Sequence, residues 1–277
     1  ISYWLFGLSG MIFSMVIIGG LTRLTKSGLS MTDLNFIWEK APSNDEEWQN
    51  EFNKYKASPE YIKMNSDMTV EEFKFIYHME WGHRQLGRMV GLVFFLPFTY
   101  FLSRGRINKS LLSRLLLCAS LGGTQGFVGW WMVKSGLEAH RFEKKHAKVH
   151  VSPYRLCFHL ITAFSIFALL LNTALRTLPR IKPLQSNVFP KAFRSSAIGC
   201  AILIATTVCS GAFVAGNEAG LIYNTFPKMG GKWIPDDIIY DQIQPKWKNA
   251  FENSTMVQFN HRYLAIFTLC CISALFI

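Results

Sequence analysis

No two cysteines in this 277-residue chain stand in a C-x-x-C pattern, and no C-x-x-C-H sequence occurs. The six that are present, Cys118, Cys157, Cys200, Cys209, Cys270 and Cys271, all fall in apolar runs. A disulfide framework, a thiol zinc site and covalent attachment of a cofactor are therefore poor readings, and small buried apolar residues are the better one. Acid is scarce too: 18 Asp and Glu stand against 29 Lys and Arg, for a net charge of +11. The segments holding Arg104, Arg106, Lys109 and Arg114, and Arg176, Arg180, Lys182, Lys191 and Arg194, contain no acid at all. Charge of either sign is missing between Arg155 and Arg176, which argues against a soluble chain.

Half of the residues are hydrophobic and the mean hydropathy is +0.18, as expected of apolar spans separated by long polar loops. Six windows, at roughly 3–22, 75–102, 111–133, 154–175, 192–215 and 255–277, have the length of a bilayer crossing. The expected fold is an all-α polytopic membrane protein. Short basic loops stay on the cytoplasmic or matrix side. The amino terminus is then inside and the long segments 24–73, 134–153 and 216–254 lie outside. The basic inner edge meets lipid headgroups and solvent, so the net charge calls for no nucleic acid. Both chain ends lie at or in apolar runs, and the expectation is of a larger bundle.

The chain repeats itself. "IIGGLTRLTKSGLSM" leaves the first span through Gly19-Gly20 and reaches Gly28-Leu29. "VCSGAFVAGNEAGLIYNTFP" leaves the fifth through Ser210-Gly211 and reaches Gly220-Leu221. A long outside loop follows each, and the next outside-to-inside span in each half carries His83-Arg84 or His261-Arg262. The expected division is an amino-terminal half at 1–176, a proline-bearing linker at 177–191 and a carboxy-terminal half at 192–277.

Of seven histidines, His140, His146 and His150 belong to a charged outside loop and His78 to the outer edge of the second span. His83, His159 and His261 lie within spans that run the same way, each roughly 8–12 Å below the outer end of its helix. Ionisable residues at that depth point to function. Zinc would need further thiolates or carboxylates nearby. Haem needs one or two axial imidazoles inside a helical bundle, and arginines near the surface suit its propionates. Glu80 and His83 share a helix face, with Arg84 one turn beyond Glu80. A Glu80–Arg84 ion pair and a proton-transfer role for Glu80 are both open on the residues alone. Gly19, Gly20 and Gly28 are expected to permit close approach and tight turning at the helix exit. Gly122, Gly123, Gly126 and Gly129 suggest a small helix-packing face, Trp130 and Trp131 an interfacial belt, and Pro97 a kink.

Taken together, "GGLTRLTKSGLSM" (19–31), "EFKFIYHMEWGHRQLGRMVG" (72–91), "TQGFVGWWMVKSGL" (124–137), "SPYRLCFHL" (152–160), "AGLIYNTFPKMGG" (219–231) and "MVQFNHRYL" (256–264) resemble the haem A synthase family of the mitochondrial and alphaproteobacterial type. The resemblance implies two repeated four-helix halves, of which six helices are present here and helices 7–8 of the second half are missing. It implies oxidation of the C8 methyl group of haem O to a formyl group, making haem A for cytochrome c oxidase. His83 and His159 would be the axial ligands of the substrate haem O, His261 a ligand of a haem b cofactor, and Glu80 the catalytic carboxylate. Arg23, Arg84 and Arg262 would be propionate contacts. The cysteine pair of many bacterial members is absent between residues 25 and 74, which favours the mitochondrial-type branch. Implied partners are a haem O-producing enzyme, a ferredoxin-like electron donor, membrane lipid and a further copy of the chain. The implied location is the mitochondrial inner membrane, or the plasma membrane of an alphaproteobacterium. A di-haem b electron-transfer subunit and a haem-handling assembly factor are the alternatives.

Overall fold

The structure is a computed structural model that describes residues 1–33, 40–138, 149–179 and 189–275. Among these residues the regular elements are helices, apart from one isolated bridge between Met229 and Lys232. Five helices are long and apolar enough to cross a membrane: α1 (Ser2–Leu24), α4 (Val70–Ser103), α5 (Lys109–Leu137), α6 (Pro153–Thr177) and α7 (Lys191–Gly216). Apolar side chains such as Phe13, Leu96 and Ile202 stand exposed on them, the surface a lipid solvent tolerates. This is a multi-pass membrane protein. The expected sixth span corresponds to α9 (Ser254–Ala274), which is not among the five. Gln258, Asn260, His261 and Arg262 in its first turns dilute its apolar character.

Helix starts follow their caps. The Thr69 hydroxyl and the Glu72 side chain form a reciprocal capping box at the head of α4, satisfying two otherwise orphaned amides. Asn108 accepts from the Leu111 amide at the head of α5. Proline at the first turn of α6 costs nothing there, because its missing N–H would have had no helical partner.

Residues 1–155 with 162–181 form one compact unit, and 156–161 with 182–277 a second. In the first, Leu5, Leu8 and Ile12 of α1, Phe94 and Phe98 of α4, Leu111, Leu115 and Cys118 of α5, and Ile166, Leu170 and Ala174 of α6 share one buried core. In the second, α7 packs along α9, with Thr207 and Thr268 hydroxyls 2.8 Å apart between them. Of the small face expected on α5, Gly122, Gly123 and Gly126 meet no neighbour among the described residues: a Cβ on any of them would have nothing within 4 Å. Gly136 is the tight position, where a Cβ would sit 2.5 Å from Leu29 Cδ2.

The described part of the segment expected outside after α1 carries helices of its own. α2 (Asp45–Lys56) and α3 (Pro59–Met64) fold within it, capped by Asn44 and Ser58. Trp48, Phe52 and Tyr55 recur at helical spacing and pack with Met31, Phe73, Ile76 and Tyr77 into a second core over the amino-terminal end of α4. The charges of "DEEWQNEFNKYK" mask that apolar stripe in composition, though its period is helical. His140 and His146 lie outside the described residues, as does most of the expected linker. His78 Nδ1 donates to the Lys74 carbonyl, 2.7 Å away, and the ring lies against Trp48. Arg155 holds its guanidinium over the Trp131 ring at 4.2 Å and donates to the Trp131 carbonyl, as an interfacial aromatic allows.

Candidate functional site

In the first unit the site is assembled where α1 leaves its helical path. Thr25 ends the helix, and Lys26 turns the chain with φ of 53°, an uncommon left-handed value for a residue with a Cβ. The sequence reading assigned tight turning to glycine. The turn instead falls on Lys26, and Gly19 serves close approach: a Cβ there would lie 3.0 Å from Cε1 of His83. Beyond the turn, residues 27–33 meet α4. The Met31 amide donates to Glu80 Oε2 at 2.9 Å and the Ser30 hydroxyl to the same oxygen at 2.7 Å. Arg84 donates to Glu80 Oε1 at 2.6 Å and also to the Met31 and Asp33 carbonyls. Glu80 is 3% exposed, so its charge is borne by three donors, one of them cationic. The ion pair anticipated from the sequence is therefore present.

In the second unit the same construction recurs. Asn217 ends α7, and Glu218 turns the chain with φ of 53°. A Cβ on Gly211 would lie 3.1 Å from Cε1 of His261. Arg262 donates to the Tyr223 and Thr225 carbonyls, the places held by Met31 and Asp33 in the first copy. The Tyr223 amide donates to Gln258 Oε1 at 3.2 Å, as the Met31 amide does to Glu80. Gln258 was overlooked in the sequence. The signal was available, because it stands three residues before His261 as Glu80 stands before His83.

The histidines differ in their second nitrogen. His261 Nδ1 lies 2.7 Å from the Ser210 hydroxyl. His83 Nδ1 is buried with no hydrogen-bond partner among the described residues. His159 is half-buried on α6, within the stretch grouped with the second unit. Arg23 occupies the last turn of α1. No cluster of three or more His, Cys, Asp and Glu able to hold a metal occurs among the described residues. The donors fit a haem: an imidazole with an unmatched buried nitrogen, seated close against a glycine, is a donor that could serve an iron whose other ligands come from a macrocycle.

A multi-pass helical membrane protein with two copies of one glycine-seated histidine motif is the class that fold and site define. The sequence model of the family described as cytochrome oxidase assembly protein, COX15-CtaA, matches residues 2–277, and the chain belongs to that family. It is 48% identical to the heme A synthase COX15 of Arabidopsis thaliana over 99% of the chain and 60% of that relative. It is 46% identical to the heme A synthase COX15 of Homo sapiens over 99% of the chain and 66% of that relative. It is 43% identical to the heme A synthase of Parvibaculum lavamentivorans over 98% of the chain and 75% of that relative. The chain thus spans 60% to 66% of the length of the Arabidopsis and human relatives. No solved structure matches it.

Proposed function

We propose that the protein makes haem A for cytochrome c oxidase by oxidising the C8 methyl group of haem O to a formyl group, with haem b as cofactor. The observation that carries this reading is the doubled motif in which only the first copy holds a buried carboxylate, Glu80, one helical turn from its histidine. The names of the Arabidopsis, human and Parvibaculum relatives support it. His83 and His159 hold the substrate haem, and His261 is a ligand of haem b. The methyl group loses two hydrogens and gains one oxygen, a four-electron oxidation, and the oxidant this reading requires is dioxygen: the electrons from the methyl carbon and an equal number from the electron donor reduce it, one oxygen atom ending in the formyl group and the rest in water. When bound, the haem supplies the redox chemistry that no side chain offers.

The chain's own residues position and move protons. Ser30 and the Met31 amide fix one oxygen of Glu80 and Arg84 fixes the other. The carboxylate is held beside the His83 turn, where it accepts a proton during oxidation. Arg84 and Arg262 first brace the exit loops, and their remaining N–H groups, with those of Arg23, meet propionates. The membrane is the mitochondrial inner membrane or an alphaproteobacterial plasma membrane, with segments 24–73, 134–153 and 216–254 on the outer side. Cleavage of segment 24–73 by protease from the matrix side alone would overturn that topology. A haem O-producing enzyme supplies the substrate and a ferredoxin-like donor the electrons.

The test is chromatography of haem extracted from membranes that carry the full-length protein, with pyridine haemochrome spectra. Haem A and haem O beside haem b support synthesis. Haem b alone, unchanged by Glu80→Gln, would instead identify an electron-transfer subunit.

A further inference from the structure

We infer that Gln258 sets the second copy of the motif apart as a site that holds haem and passes electrons, by leaving the positive charge of Arg262 without a carboxylate beside it. This rests on the reading of His261 as a haem ligand.

The two copies have the same backbone and differ in their charge. In the first, the Glu80 carboxylate can only accept hydrogen bonds, so it takes the Met31 amide and leaves the Met31 carbonyl to Arg84. Arg84 pairs with Glu80 as well, and the two charges cancel. In the second, the Gln258 amide both accepts and donates. Its Oε1 takes the Tyr223 amide and its Nε2 donates to the Tyr223 carbonyl at 2.8 Å. Gln258 is 8% exposed and both its polar atoms are matched. Among the described residues Arg262 is left with the carbonyl oxygens of Tyr223, Thr225, Pro227 and Lys228 and the Phe226 ring. These are dipoles and a π-face, which solvate a cation without neutralising it. One turn of α9 therefore carries His261 and an uncompensated unit charge, adjacent in sequence. A positive charge beside a haem favours the reduced iron, and it favours anionic propionates. Net charge is one of the levers that set the potential of such a centre.

Replacing Gln258 by Glu should rebuild the first arrangement, because Arg262 stands in the register of Arg84 and can pair as it does. The measurement is a redox titration of the haem b band in membranes holding the full-length protein, with that band assigned by its loss in His261→Ala. At a poise near the wild-type midpoint, Gln258→Glu should raise the ratio of oxidised to reduced haem by about tenfold, the scale of one added charge in a partly screened site. That corresponds to a midpoint about 59 mV lower. Gln258→Met, neutral and similar in length, should leave the ratio within about twofold. Should Gln258→Glu fail to accumulate, Arg262→Gln removes the same net charge and should move the ratio the same way. A haem b band that persists with an unmoved midpoint in the charge variant overturns the inference, as does an equal shift in Gln258→Met. A haem b band that survives His261→Ala overturns the underlying assignment instead.

Discussion

The exit from α1 and the exit from α7 use the same backbone to different ends. Each turns on a left-handed residue, Lys26 or Glu218. Each seats a histidine on a glycine, and each is clamped by an arginine to the carbonyls two elements away. What varies is the side chain one turn before the histidine and the partner of the histidine itself. Glu80 brings a charge and takes Ser30, Met31 and Arg84; Gln258 brings none and closes on Tyr223 alone. The difference teaches that the loop clamp is scaffold and that ionisable chemistry was placed on it at one position.

The comparison breaks most severely at the histidines. Removing an axial ligand should stop haem A formation altogether and lower the haem-to-protein ratio of its own copy by more than roughly 100-fold, exceeding the roughly 10–100-fold that loss of an outer-shell partner costs. His261→Ala should lose haem b and keep haem O, while His83→Ala, and His159→Ala with it, should do the reverse. Chromatography of haem from purified variants reads both at once. Loss of both haems from either variant would show that the copies do not hold them independently.

Next in size is Glu80→Gln, which makes the first copy resemble the second. Gln258 shows that this scaffold accommodates an amide, with one bond from the loop N–H and one to the loop carbonyl. Haem O should stay bound while conversion to haem A falls by about 10²–10⁴-fold, the range of general acid–base catalysis. Full haem A production by this variant would return Glu80 to a structural role as the partner of Arg84.

Much of this comparison was legible in the sequence, and the part that was not has a physical reason. His83, His261, Glu80 and the two glycine exits could be found because depth, charge and spacing mark them in an apolar run. Gly19 was expected to allow close approach and Gly211 was marked only as a small-residue exit; that both contacts are with a histidine ring depends on the crossing of α1 with α4 and α7 with α9, which no local pattern encodes. Lys26 and Glu218 were invisible because any residue can be forced into a left-handed turn when the surroundings fix it. The helices α2 and α3 were hidden by their charged faces. Gln258 escaped because an amide is unremarkable alone and becomes informative only when aligned with Glu80.

The outer caps supply a third contrast, and its sign is opposite in the two units. Over the first motif, Glu60 is 6% exposed and accepts the Tyr55 hydroxyl at 3.0 Å. Burial pushes its carboxyl up to about 7, and the charge of Glu80 adds to this, against the Tyr55 hydrogen bond and the positive charges of Arg23 and Lys26. A folded-state value above the unfolded one means that the folded cap holds the proton more tightly. Its stability therefore falls as pH rises from about 4.5 to about 7, by on the order of 3 kcal/mol across the full window. Over the second motif, burial opposes ionisation of Asp237, but the Thr255 and Tyr223 hydroxyls donate to it and hold its carboxyl below the usual range. That contribution is present above the unfolded value and is lost as pH falls through the folded one. Acidification should firm the first cap and loosen the second. Amide hydrogen exchange of segments 45–64 and 223–252 against pH measures both. Glu60→Gln should flatten the response of the first and Asp237→Asn that of the second. Parallel responses in the two segments would refute the contrast.

The smallest effect tests the glycine seats. A Cβ at position 19 would lie 3.0 Å from His83 Cε1 and at position 211 would lie 3.1 Å from His261 Cε1. Either ring must give by a few tenths of an ångström. The propensity gain of alanine in a helix, about 1 kcal/mol, is common to both sites and cancels between them. The rings differ in what movement disturbs. His83 has no hydrogen bond at Nδ1 to strain, whereas His261 is held 2.7 Å from Ser210 on the helix that would push it. Gly211→Ala should therefore weaken haem retention more than Gly19→Ala does, by about the fivefold that one hydrogen bond near 1 kcal/mol represents. Gly20→Ala, where a Cβ meets nothing within 4 Å, is the control for helix propensity and should leave both haems in place. The haem-to-protein ratio after repeated detergent washing reads the difference. If adding Ser210→Ala to Gly211→Ala leaves retention as weak as in Gly211→Ala alone, the ring is limited by the strained bond; a further large loss would show that Ser210 still orients the displaced ring, and the seat rather than the bond would then set the cost.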